Sequence, residues 1–101
     1  MFKKETRYAT RGINAIVDVR LQLIMWNLID QLKKKKEVYY LQIFRISKEE
    51  NKRIIIEHEQ EVQQYKEKYV AELEGIEITG VIKIYVIDRV EYSTMILASE
   101  Y

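Results

Sequence analysis

The chain has 101 residues, with 17 Lys and Arg against 16 Asp and Glu, one His, no Cys and no Pro. This length suits one domain over residues 1–101, and 48% apolar with 33% charged residues is a globular balance rather than a disordered one. The missing cysteines exclude disulfides, thiolate nucleophiles, iron–sulfur clusters and Cys-based zinc sites, and a net charge of +1 exerts no global pull on nucleic acid or anionic lipid.

The expected compartment is the cytoplasm, because a small secreted domain usually needs disulfides. The start Met1-Phe2-Lys3-Lys4-Glu5-Thr6-Arg7 has no apolar stretch behind its charges and so does not read as a signal peptide. Leu23–Trp26 and Val38–Leu41 are among the longest apolar runs, far below the ~20 residues of a spanning helix, so no membrane contact is expected. The neutral total conceals an asymmetry. Residues 1–53 carry a balance of +7 and residues 54–101 one of −6.

In chain order, Arg7 to Ile13 suits an edge strand. Asp18 to Lys36 suits a long helix: Leu21, Ile24, Met25, Leu28, Ile29 and Leu32 recur at helical spacing, Asp18 can cap the start, and Lys33 to Lys36 suit the negative dipole end. Val17, Val19, Leu21 and Leu23 also alternate as in a strand, but the stretch to Leu32 fits only the 3.6 period. Val38 to Ile46 is apolar on both faces and reads as an inner strand, followed by a polar turn at Ser47–Lys52. Arg53 to Gln60 then puts Ile54, Ile56 and His58 on one strand face and Ile55, Glu57 and Glu59 on the other. Val62, Tyr65, Tyr69, Val70 and Leu73 are expected to form a short amphipathic helix stopped by Gly75. Ile76–Thr79 and Val81–Arg89 read as one strand interrupted at Gly80 or as two short ones, and Tyr92–Ala98 as a last strand after a tight turn.

The 15 Ile and 8 Val require sheet in the core. The expected fold is α+β: a mostly antiparallel sheet of four to five strands, one long helix packed on a face and a second short helix. With no Pro to block them, strand edges need charge or a partner, which leaves a homodimer open.

Several segments resemble one family: Arg7-Tyr8-Ala9-Thr10-Arg11-Gly12-Ile13, Trp26-Asn27-Leu28-Ile29-Asp30, Leu41-Gln42-Ile43-Phe44-Arg45, Val86-Ile87-Asp88 and the ending from Tyr92 to Tyr101. Together the chain resembles short, uncharacterised proteins of staphylococci and related Gram-positive bacteria. The resemblance implies a cytosolic accessory protein of a mobile element, prophage or chromosomal cassette, and carries over no catalytic residue.

Motifs with chemistry fall short. His58-Glu59-Gln60-Glu61-Val62 has Val62 where a zinc protease needs its second His, and on a strand His58 and Glu59 point to opposite faces. Gly75 to Gly80 has the glycine spacing of a P-loop, but Val81 and Ile82 follow in place of Lys-Ser/Thr. Asp88, Arg89 and Glu91 read as a polar turn, so no catalytic, metal or cofactor residue is expected.

Two binding signals remain. Glu57, Glu59 and Glu61 form a regular acidic row able to imitate a nucleic-acid backbone, and Trp26 with Tyr65 offers aromatic anchors, Trp26 lying off the main apolar stripe of its helix. These features point to a non-enzymatic protein that binds a host or phage protein, for example as a stoichiometric inhibitor of a CRISPR or restriction defence. The alternative is a nucleic-acid-binding accessory protein that grips phosphates with Lys33, Lys34, Lys35 and Lys36 and stacks bases on Tyr39 and Tyr40.

Overall fold

Alternating apolar positions build a six-stranded sheet in the computed structural model, which describes residues 1–101. Strand β1 (Arg7–Ala9) leads into helices α1 (Arg11–Ile16) and α2 (Val19–Lys33). Strands β2 (Leu41–Lys48), β3 (Arg53–Gln60), β4 (Tyr65–Glu72), β5 (Ile82–Asp88) and β6 (Ser93–Leu97) follow. The spatial order is β1-β6-β5-β2-β3-β4, antiparallel throughout except for the parallel β1–β6 pair. The fold is α+β, with six strands rather than four to five.

Helix α2 begins where its sequence signal lies: the Asp18 carboxylate accepts from the Arg20 N–H at 2.8 Å and caps the first turn. Its apolar stripe, Leu21, Met25, Ile29 and Leu32, is fully buried against the sheet. On the sheet side the same core takes Phe44 and Ile46 of β2, Ile54 and Ile56 of β3, and Ile84 and Val86 of β5. Every one of these strand residues has the same parity, so both helices pack on one face of the sheet.

Three expectations need correction. The segment from Val62 to Leu73 is not a helix but hairpin strand β4, paired with β3 from Gln60↔Tyr65 to Arg53↔Glu72. Tyr65, Tyr69 and Leu73 satisfy a period of two as well as one of 3.6, no Ser, Thr, Asp or Asn stands at a helix start there, and pairing along all of β3 decides the conformation. The second short helix lies instead at Arg11–Ile16, where the Thr10 hydroxyl accepts from the Ile13 N–H and ends the edge strand at Ala9. Ile76–Thr79 forms no strand; Ile76 plugs into the core between Gly75 (φ +77°) and Gly80 (φ +70°), so the chain crosses to β5 as coil. No helix is long and apolar enough to cross a membrane.

Candidate interaction surface

Because both helices sit on one face, the other face of the sheet lacks a covering layer. Register places Tyr8, Thr94, Ile87 and Leu41 in one row across β1, β6, β5 and β2 on this open face. The next row holds Ile96, Tyr85 and Ile43. None of these seven side chains is charged. Ile87 and Ile43 are nevertheless only 4% and 7% exposed. Tyr92 meets Tyr8 edge-on at 6.0 Å between ring centroids, and Tyr101, reached through the C-terminal turn, meets Tyr85 edge-on at 5.2 Å. Tyr8 and Tyr101 remain 58% and 71% exposed, far more than packing within one chain requires. This patch is missed by sequence reasoning, since Tyr8, Tyr85 and Tyr101 are far apart in the chain and only strand order joins them.

Beyond this patch the open face carries charged side chains, several of them paired. Arg45 Nη1 donates to Glu59 at 2.8 Å and to Glu57 at 3.4 Å, while Lys66 Nζ lies 3.7 Å from Glu57. The Glu59 hydrogen bond outweighs burial and keeps the Arg45 guanidinium protonated beyond its ordinary range. Glu57 and Glu59, with side chains 15% and 26% exposed, are therefore neutralised within the chain. Only Glu61, in the β3–β4 turn, is free of such cover.

Trp26 is not a surface anchor. It is 9% exposed and covered by the N-terminal arm, whose Arg7 guanidinium sits 4.8 Å from the ring centroid. Arg7 also forms a two-pronged ion pair with Asp30 and donates to the Phe2 carbonyl at 2.7 Å. Burial opposes ionisation of Asp30, but the Arg7 hydrogen bond and charge prevail and hold its carboxyl below the usual range. Tyr65 is half-buried on the helix face of β4, hydrogen-bonded to the Tyr69 hydroxyl. Burial first and that hydrogen bond second push its phenol well above the ordinary range.

Lys33 closes α2 and Lys34 to Lys36 form the turn after it, with Lys36 donating to the Gln64 carbonyl at 3.2 Å beside the Tyr65 ring. Tyr39 and Tyr40 pack on each other at 4.7 Å in the connection to β2. The structure thus brings Lys36 to Tyr65.

A buried polar ladder also escapes sequence reasoning, although polar residues at core parity signal it. His58 donates from Nε2 to the Gln42 side-chain oxygen at 2.6 Å; Gln42 donates to Gln60 at 2.7 Å and to the Tyr39 carbonyl at 2.8 Å. Gln60 accepts from the Tyr39 N–H and donates to the Glu37 and Gln63 carbonyls, tying both neighbouring loops to the sheet. The amide orientations assign the Nε2–H tautomer to His58 and leave its buried Nδ1 without a partner. Sealed against Phe44, whose ring stacks at 4.3 Å, His58 is pushed by burial from 6.5 down to about 4.

The class so defined is an α+β domain with helices on one face of a mixed sheet and an uncharged, tyrosine-rich patch on the other. The chain belongs to the family of staphylococcal proteins of unknown function DUF960, whose model matches residues 6–100. It is also similar to the crystal structure of a protein of unknown function from Enterococcus faecalis. That likeness has a TM-score of 0.76 and 21% identity, covers 100% of this chain and 98% of that one, and carries the fold alone. No curated protein matches the chain.

Proposed function

We propose that the protein is a non-enzymatic binding module whose partner, a protein, docks on the open sheet face. The observation that carries this reading is the cluster of exposed tyrosines around Tyr85 on a sheet face with no covering layer. Tyrosine supplies large contact area at low entropic cost and is over-represented among the residues that dominate binding energy. The uncharged centre supports a protein over a polyanion: of the cations at its border, Arg45 is already held by Glu57 and Glu59, and Lys83 stands beside Tyr85. The sole histidine is sealed in the core, which supports binding rather than proton-transfer chemistry.

Inhibition of a host or phage nucleic-acid-handling protein stays within this proposal, but it no longer leans on an acidic row or on Trp26. Single-stranded nucleic acid is a second reading, favoured by Lys83, whose Nζ lies 5.4 Å from the Tyr85 ring centroid.

The test is affinity capture with the wild type, a Tyr8→Ser/Tyr85→Ser variant and a Leu23→Ser control on the helix side. The captured protein is then purified and titrated directly. A purified partner whose affinity falls at least about tenfold in the double variant and holds in the control supports the reading. Equal binding by all three refutes it, and salt-sensitive retention of single-stranded DNA lost in the tyrosine variant favours the second reading instead.

A further inference from the structure

The two edges of the sheet are unlike. Strand β1 spans only Arg7–Ala9, too short to recruit a neighbour, whereas β4 runs from Tyr65 to Glu72 and pairs only with β3. Its outer backbone groups form a long template with no proline to interrupt pairing and no helix or strand laid against it.

We propose that two copies of this chain pair β4 to β4 as antiparallel strands about a two-fold axis, with Tyr69 opposite the partner's Tyr69. A two-fold normal to the sheet keeps each side chain on its own face, so only same-parity residues can oppose each other. That leaves few registers, and charge chooses among them. Centring on Lys68 sets it against its own copy; centring on Glu67 opposes two glutamates and sets Lys66 against Lys68 twice. Centring on Val70 pairs Lys68 with Glu72 but shortens the overlap. Centring on Tyr69 sets Lys66 against the partner's Glu72 at both ends and lays Lys68 beside the partner's Val70, which is 52% exposed in the single chain.

Pairing in this way makes one continuous twelve-stranded sheet, supplies the missing backbone partners of β4, and presents two open faces side by side. It is independent of the reading of the open face as a docking surface.

The test is sedimentation of the full chain over a concentration series, with Lys66→Glu and Glu72→Lys variants run separately and mixed. Circular dichroism and thermal melts confirm that each variant is folded. The wild type is expected to sediment as a dimer at high concentration. Each variant is expected to sediment as a monomer, because like charges then face each other at both ends of the pairing. The equimolar mixture is expected to regain the dimer, because one chain then brings only carboxylates to these end positions and the other only ammonium groups. A wild type that is monomeric at every concentration overturns the proposal. So does a dimer indifferent to both substitutions, a mixture that stays monomeric, or a dimer dispersed instead by Tyr85→Ser on the open face.

Discussion

The buried state of His58 makes stability depend on pH in a calculable way. The native ring takes a proton only near about 4, whereas the unfolded chain takes one near 6.5. Between those values the unfolded state binds more protons, so stability is fully present above about 6.5 and is lost as pH falls toward 4. The slope approaches about 1.4 kcal/mol per pH unit, giving a loss of about 2 kcal/mol by about pH 5 and about 3 kcal/mol across the window. The cause is geometric: Nδ1 has no hydrogen-bond partner, and the Phe44 ring closes the site. His58→Gln keeps an amide donor for Gln42 and cannot titrate. Urea unfolding of both proteins at about pH 7.5 and about pH 5 isolates the effect, since the carboxylates are common to both. The wild type is expected to lose about 2 kcal/mol more than the variant between the two conditions. As the chain has a single histidine, an NMR titration of its ring reads the native midpoint directly. Parallel profiles for the two proteins, or a native midpoint near 6.5, would refute the reasoning.

Other substitutions probe the remaining supports. Gln42→Leu strands the His58 Nε2–H and removes the donor to Gln60, so a loss of about 2–3 kcal/mol is expected in denaturant unfolding, with faster hydrogen exchange at Tyr39. Arg7→Ala leaves the half-buried Asp30 carboxylate unpaired and uncovers Trp26. It is expected to cost about 2–3 kcal/mol and to shift the emission of the lone tryptophan to the red, as fluorescence would record. Gly80→Ala meets no atom within 4 Å but must hold φ +70°, so thermal melts should show a loss of only about 1 kcal/mol, from backbone strain alone.

The sequence makes some elements legible and hides others for physical reasons. The boundaries of β3 can be read because its β-branched run Ile54–Ile56 passes into the alternation Ile56-Glu57-His58-Glu59 and a polar turn precedes Arg53. Asp18 marks the start of α2 because its carboxylate has one obvious role there. The β4 segment is ambiguous locally: Tyr65 and Tyr69 are four apart, which suits a helix face and a strand face alike, and only β3 alongside resolves the choice. Thr10 is a readable cap for α1, but Gly12 inside the first turn and the brevity of that helix obscure it. The tyrosine patch depends on the neighbour order β1-β6-β5-β2, which no local pattern encodes.

Charge illustrates the same limit from the other side. A chain that is +7 in its first part and −6 in its second reads as a candidate for two opposed faces. Topology dissolves that division. Strand β2, from the basic part, is inserted between β3 and β5 of the acidic part, so Arg45 stands opposite Glu57 on one side and Lys83 on the other. The hairpin to β4 then lays Lys68 against Glu57 and Lys66 against Glu59. Antiparallel pairing thus sets opposite charges against each other across β2, β3 and β4, while Arg45 and Lys83 remain a like-charged pair across β2 and β5. What distinguishes one region of the open face from another is therefore the absence of charge. The uncharged positions around Tyr85 and Ile87, rather than the glutamates or the lysines, are where a partner can be bound without first breaking an ion pair.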